Sequence, residues 1–238
     1  MCIRDRIDIN LTKENQIRVT NTPGVLNDDV ADIALTLILT TNRNIINADK
    51  YARSRLWEKS PMPYGSGLAG KTLGIVGFGR IGEAVAERVL PLKLKIAYHN
   101  RTKKDSPHKY FASLIDLAHN SDILLCILPG GQDTEKVINT DVLKALGPTG
   151  IFINIGRGTS VDENSLIEFL AHKKIAAAGL DVYAEEPLIP KALLELDNTV
   201  LLPHIGSATI ETRDAMGDLV LKNLEAFFSN NELVTEVK

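Results

Sequence analysis

Short apolar runs rich in β-branched residues alternate along most of this chain with longer amphipathic stretches. The apolar runs are Thr72–Gly77, Leu94–Asn100, Asp122–Leu128, Gly150–Gly156, Ile175–Asp181 and Thr199–Leu202. They are nearly continuous rather than alternating, which predicts strands covered on both faces, as in a parallel sheet. Between them a 3.6-residue period predicts helices over Ile81–Leu90, Phe111–Ala118, Thr140–Leu146 and Asp162–His172. Asp162 with Ser165 three residues on gives the last of these a weak cap. A βαβαβ succession of this kind points to a doubly wound α/β domain of the Rossmann type, with right-handed crossovers.

The two ends differ from this pattern. Asn27–Asn44 reads as one buried helix through Val30, Ala31, Ala34, Leu35, Ile38 and Leu39, entered by a Thr22-Pro23-Gly24 turn. Ala208–Phe228 reads as a long closing helix, and residues 1–21 hold one strand, Ile17–Thr20. A second domain of ordinary size needs at least about 50 residues. Too little chain lies outside the α/β core to make one, so the chain reads as cut at its amino end.

Composition narrows the function. The 238 residues are 44% hydrophobic and 24% charged, enough to bury a core without a disulfide or metal staple. A net charge of −3, spread along the chain, argues against a nucleic-acid scaffold or a polybasic membrane binder. Cys2 and Cys126 lie far apart with no metal-ligand spacing and read as thiols of a reducing compartment. The longest apolar runs are too short to span a bilayer, and Met1–Arg6 has no signal-peptide core. A cytoplasmic protein is expected.

Gly77-Phe78-Gly79-Arg80-Ile81-Gly82 follows a predicted strand and opens a predicted helix. In a dinucleotide site the first glycine permits the tight turn and the second lets backbone approach a pyrophosphate. The third lets helix and strand pack closely, and the helix N-terminus offers N–H donors. The alternatives are a glycine turn that merely packs and a methyltransferase-type loop for another adenosyl ligand. After the next strand, an NAD site needs a carboxylate for the ribose 2′-hydroxyl. That slot holds Asn100, followed by Arg101, Thr102, Lys103 and Lys104. A guanidinium can clamp a 2′-phosphate that a carboxylate would repel, which favours NADP over NAD. A solvated basic turn is the plainer reading.

Ligands of open α/β sheets sit outside the carboxyl ends of the strands. Three polar residues follow three predicted strands there: Arg157 within Gly156-Arg157-Gly158, Glu186 before Pro187, and His204 within Pro203-His204-Ile205-Gly206-Ser207. Singly they could be a surface charge, a solvated loop residue and a helix cap. Together they suit hydride transfer to a carbonyl. Arg157 would hold a 2-oxo acid by its carboxylate, and His204 would deliver a proton to the developing alkoxide. Glu186 beside that imidazole would fix its tautomer and favour its charged form. Asp181 ends a buried strand and needs donors, which a nicotinamide carboxamide could supply.

Several segments resemble the D-isomer-specific 2-hydroxyacid dehydrogenase family. They are Asn21–Leu26, Gly77–Gly82, Asn154–Gly158 with Val161-Asp162-Glu163, Gly179–Val182, Glu186-Pro187 and Pro203–Thr209. The resemblance implies Arg157 as substrate-binding arginine, Glu186 as its carboxylate partner, His204 as acid/base and Asp181 as the nicotinamide-contacting aspartate. It implies cofactor contacts around Arg80-Ile81, Leu128-Pro129, Ile155-Gly156, His204 and Gly206-Ser207, and no metal. Asn100-Arg101-Thr102 and Leu128-Pro129-Gly130-Gly131 look most like NADPH-preferring glyoxylate/hydroxypyruvate reductases. Close relatives include 2-ketogluconate and hydroxyphenylpyruvate reductases, so the small 2-oxo acid stays open. The family fold implies a cofactor domain over 22–206, a remnant of a flavodoxin-like substrate (lid) domain over 1–21, and a returning helix over 207–238. It also implies a homodimer, with Asn27–Asn44 and Arg53–Trp57 resembling the dimer-forming part; Trp57 is equally readable as a core aromatic. Met1–Arg6 fits no part of the pattern and reads as an artefact of sequencing or gene calling. Two functions therefore stand: an NADPH-dependent reductase, or a dinucleotide-binding module without turnover.

Overall fold

The computed structural model describes residues 7–237; Met1–Arg6, with Cys2, lies outside them. Seven strands form one sheet: β1 (Thr72–Val76), β2 (Lys95–His99), β3 (Lys109–Tyr110), β4 (Ile123–Cys126), β5 (Ile151–Asn154), β6 (Ala177–Leu180) and β7 (Thr199–Leu201). Every pairing is parallel, in the order β3-β2-β1-β4-β5-β6-β7. The helices are α1 (Ile9–Glu14), α2 (Asn27–Asn42), α3 (Ile45–Arg53), α4 (Arg80–Val89), α5 (Leu114–His119), α6 (Thr140–Leu146), α7 (Glu163–Ala171), α8 (Lys191–Leu194) and α9 (Ile210–Asn230).

All six expected strands in this region are present, each trimmed where its apolar run continues into a loop. Their register pairs Val76 with Cys126, Cys126 with Asn154, Asn154 with Leu180 and Leu180 with Leu201. The carboxyl ends of five strands therefore reach one edge together. The strand order reverses beside β1, and a doubly wound sheet has its crevice at that reversal.

Contacts divide the chain into two compact units, Val30–Gly206 and the residues up to Asp29 taken with those from Ser207 onward. In the larger unit, α4 buries Gly82, Val85, Ala86 and Val89, the i, i+3, i+4, i+7 stripe of a core-facing helix. Asn139 caps α6, accepting from the amides of Asp141 and Val142, and Asp162 caps α7 by accepting from Ser165 N. These helices drive Leu143, Leu166, Phe169 and Leu170 into a core with Leu124, Phe152 and Leu180. Each such side chain contributes on the order of 1.5–3 kcal/mol by burial.

The smaller unit is held by polar contacts between its ends. Arg18 forks onto Glu236 through Nε at 2.7 Å and Nη2 at 3.1 Å, and Val237 N donates to Val19 O at 2.8 Å. Asn223 of α9 accepts from Thr235 N at 3.0 Å and donates to Thr235 Oγ1 at 2.9 Å. Asp29 accepts from the hydroxyls of Thr209 and Thr212, which hold its carboxyl below the usual range.

Several expectations are corrected. The strand expected over Ile17–Thr20 reduces to one antiparallel bridge, Thr20 to Glu236, and α1 precedes it where no helix was expected. Asn44 lies in the left-handed region at φ 52°, so the helix expected to run to Asn44 stops at Asn42 and α3 begins beyond. Within α2 it is Leu37 that is fully buried, whereas Leu35 and Leu39 are half-buried. Ser113 accepts from Asp116 N, so α5 starts at Leu114 rather than Phe111. Trp57 is 73% exposed and is no core aromatic. Thr209, not His204, caps α9, accepting from Thr212 N.

Gly158 sets the spacing between the β5 and β6 loops. A Cβ there would stand 1.9 Å from the carbonyl carbon of Tyr183 and 2.4 Å from Ala184 N. Because the obstacle is backbone, Gly158→Ala should destabilise the fold by about 2–4 kcal/mol, read as a lowered urea midpoint.

Candidate active site

Gly77 ends β1 at φ +94°, a conformation that favours glycine. A Cβ on it would meet Ile127 O and Leu128 Cδ2, each at 3.2 Å. The turn thus lies directly against the end of β4. Gly79 is the N-cap of α4 and offers no side-chain cap, so the first helical amides, from Arg80, Ile81 and Gly82, remain donors. Beyond its own chain neighbours, a Cβ built on Gly79 would meet nothing within 4 Å among the described residues. Open space in front of uncapped helix amides fits a pyrophosphate.

The next loop shows how the turn is fixed. Asn100 Oδ1 accepts from Phe78 N at 2.7 Å, and its Nδ2 donates to Phe78 O at 3.0 Å. Asn100 therefore clamps the glycine-rich turn with both ends of its amide. Arg101 is 92% exposed and stands 3.7 Å from Asp133, itself 85% exposed. Thr102 and Lys103 are exposed, and Lys104 Nζ reaches Glu83 of α4 at 2.7 Å.

At the neighbouring strand ends, backbone again approaches backbone. A Cβ on Gly156 would stand 2.6 Å from Leu128 O and 2.8 Å from Leu128 N, so Leu128-Pro129 and Ile155-Gly156 form adjacent walls. Asn154 closes β5 and organises the loop beyond it, accepting from Gly156 N at 3.0 Å and donating to Arg157 O at 3.1 Å. Arg157 is half-buried, with Nη1 donating to Gly156 O. Cys126 is fully buried beside Ser160, and burial pushes its thiol pKa up.

Glu186 and His204 come together. His204 Nδ1 lies 2.7 Å from Glu186 Oε2, with the two side chains 30% and 23% exposed. The carboxylate accepts, so Nδ1 carries a proton and Nε2 is the nitrogen left for chemistry. Glu186 Oε1 also accepts from Tyr183 N at 3.1 Å, which aims the carboxylate. The Glu186–Pro187 peptide is cis.

Asp181 is 1% exposed, and its donors come from the His204 loop: Ile205 N to Oδ1 and Gly206 N to Oδ2, each at 2.8 Å. Burial raises its pKa, opposed by these two bonds. His204 itself has φ +55°, left-handed backbone that a non-glycine residue enters at a cost. Ser207 begins the second segment of the smaller unit. No group of three or more His, Cys, Asp or Glu residues among those described could hold a metal.

Three residues to which the sequence assigned no role also build this edge. They are Asn154, Tyr183, whose hydroxyl donates to Leu202 O at 2.9 Å, and Glu163, which accepts from Ala184 N at 3.1 Å. Burial raises the Tyr183 pKa further above the ordinary phenol value, keeping that donor protonated. Asn154 and Glu163 fall within the segments that carry the family resemblance, and Asn154 also stands out as a polar residue ending an apolar run.

Residues 35–206 match the sequence profile of the D-isomer specific 2-hydroxyacid dehydrogenase NAD binding domain. The chain belongs to that family. Glyoxylate/hydroxypyruvate reductase A of Arabidopsis thaliana is 47% identical over 98% of this chain and 75% of its own length. The glyoxylate reductase of Thermococcus litoralis is 46% identical over 94% of this chain and 70% of its own length. Among solved structures, an NADPH-dependent glyoxylate/hydroxypyruvate reductase of Sinorhizobium meliloti, in complex with NADP and malonate, superposes with a TM-score of 0.94. It is 44% identical, covering 98% of this chain and 74% of that one.

Asp181 anchors the loop that carries the histidine. Asp181→Asn places an amide NH₂ against one of the two backbone donors. It should cost about 1–3 kcal/mol at neutral pH, seen as an earlier transition in chemical denaturation.

Proposed function

We propose that this chain is an NADPH-dependent reductase of small 2-oxo acids of the glyoxylate and hydroxypyruvate kind, yielding a D-2-hydroxy acid. The observation that carries the reading is the 2.7 Å His204–Glu186 pair, set on the same sheet edge as the glycine-rich turn. NADPH, when bound at that turn, supplies the hydride to the carbonyl carbon. The chain's own residues do the rest. Arg157 binds the substrate carboxylate and polarises the adjacent carbonyl. His204 gives the Nε2 proton to the developing alkoxide, while Glu186 stabilises the imidazolium that makes the donation. Asp181 keeps the histidine loop in place, and its remaining lone pairs suit a carboxamide.

Cofactor choice is assigned to Arg101, whose exposed guanidinium would pair with a 2′-phosphate in place of Asp133. Asn100 has no charge to repel that phosphate. The amides of Arg80, Ile81 and Gly82 receive the pyrophosphate. The walls at Leu128-Pro129 and Ile155-Gly156, with Thr102 and Gly206, complete the cofactor set.

We read the protein as a cytoplasmic homodimer. The free, buried Cys126 suits a reducing compartment, and no helix of the described residues is long and apolar enough to cross a membrane. Ile45, Ile46, Leu56 and Trp57 expose 42–73% of their surface in consecutive segments, an apolar face suited to a second copy.

The test follows NADPH oxidation by the purified chain with hydroxypyruvate and with glyoxylate, alongside NADPH binding by nicotinamide fluorescence. His204→Asn should keep binding and lose about 100-fold or more of the reduction rate. Full activity in that variant would place the proton donor elsewhere. Arg101→Ala should narrow the NADPH-over-NADH preference by about 10–100-fold. An unchanged preference would remove Arg101 from the phosphate site.

A further inference from the structure

The turn that presents Arg101 is shaped by side chains from beneath. Tyr98 lies on β2, one strand in from edge strand β3, and is 0% exposed. Its hydroxyl accepts from Lys104 N at 3.0 Å and donates to Lys104 O at 3.0 Å. One phenol thus satisfies both backbone groups of the residue that closes the turn. Tyr110, on edge strand β3, donates its hydroxyl to Asn100 O at 3.2 Å, at the residue that opens the turn. Arg101 lies between these two fastenings, and its own partner, Asp133, is loose and exposed.

The rings bind the same turn to the glycine-rich loop. Phe78 stacks on Tyr98 at 4.7 Å between centroids, and Tyr98 meets Tyr110 at 5.4 Å. A phenylalanine at position 98 would fill the same core space and make the same stack. The hydroxyl is what packing does not explain, since a buried phenol needs a partner that a phenyl ring does not.

We infer that the Tyr98 and Tyr110 hydroxyls are specificity-determining positioning groups. By fixing the two ends of the Asn100–Lys104 turn, they hold the Arg101 backbone where its guanidinium meets a 2′-phosphate. Both hydroxyls are spent on backbone groups of the turn. A fixed turn has little conformational freedom left to lose when the phosphate binds, whereas a loosened one must be ordered at that moment. The inference rests on the assignment of Arg101 to the 2′-phosphate. Only the phosphate-bearing cofactor senses the difference, so the hydroxyls act on the preference between cofactors rather than on cofactor binding in general.

The experiment measures dissociation constants for NADPH and NADH by nicotinamide fluorescence on the full 238-residue chain, which does not require turnover. Tyr98→Phe should weaken NADPH by about 3–10-fold and NADH by less than about twofold. Tyr110→Phe should act in the same sense with a smaller effect. In an Arg101→Ala background, Tyr98→Phe should no longer change the preference, because both act through one contact. If Arg101→Ala leaves the preference unchanged, the assignment of Arg101 fails. If Arg101→Ala narrows it while Tyr98→Phe weakens both cofactors equally or neither, the hydroxyls are merely structural and the inference is overturned. Thermal unfolding of each variant is followed in parallel. Should Tyr98→Phe fail to fold, an unchanged preference in Tyr110→Phe overturns the inference by itself.

Discussion

At the carboxyl edge of the sheet, neighbouring loops approach closely enough that a single added carbon would collide with backbone. The Gly156 Cα faces the Leu128 peptide, and Gly158 faces the peptide between Tyr183 and Ala184. This approach decides the spacing of everything that projects from the edge. Arg157 sits between the two glycines, so its backbone cannot shift without opening one contact or the other. The loop carrying Glu186 is reached through Tyr183 and Ala184, and it is located by the same contact. Side chains then complete what the glycines begin. Asn154 ties Gly156 to Arg157, Glu163 takes the Ala184 amide, and the Tyr183 phenol takes the Leu202 carbonyl. Loops brought this close carry backbone groups away from water, and each needs a partner. The buried polar side chains are therefore consequences of the glycine contacts rather than separate features.

His204 shows what such a framework allows. Its left-handed backbone costs on the order of 1–3 kcal/mol and persists only where the surroundings determine it several times over. Two amides just after it bind Asp181, and its ring binds Glu186, whose other oxygen binds Tyr183 N. Backbone and ring are thus held independently, each by a carboxylate that is itself fixed to the sheet edge. Under the proposed reading, an imidazole restrained at Nδ1 and along its backbone has little freedom left to lose when it transfers a proton. On the same reading, Asp181 acts by setting the loop that carries His204.

The strands were legible because burial on both faces writes itself into composition. Six apolar runs became six strands, and each polar residue just past a run arrived at the common edge. Where burial is partial the record is weaker. Lys109–Tyr110 is a two-residue edge strand with one exposed lysine, and nothing in its sequence separates it from a loop. In α2 the apolar residues run almost all round the helix, so the phase was uncertain and Leu37, not Leu35 or Leu39, faces the core. The candidate site was legible as far as residue type reaches. Arg157, Glu186 and His204 were visible because their chemistry is uncommon at strand ends. The partners of Asp181 and Asn100 were not, because they are backbone groups 24 and 22 residues away, and a backbone N–H has no sequence signature.

Asn100 illustrates why side-chain identity in this loop is more than a question of charge. Its carboxamide both accepts from Phe78 N and donates to Phe78 O. A carboxylate there could make only the first of these bonds. Its second oxygen would confront the Phe78 carbonyl, two acceptors with no proton between them. The turn that depends on this residue would then be held by one bond instead of two, at the point where Gly77 already bends the chain into left-handed backbone. Under the proposed reading, asparagine also leaves a 2′-phosphate unopposed, which a carboxylate cannot do. The same asparagine thus meets a geometric demand of the glycine-rich turn and an electrostatic demand of the neighbouring Arg101. Reversing cofactor choice would accordingly require rebuilding the Phe78 contacts as well as changing the charge.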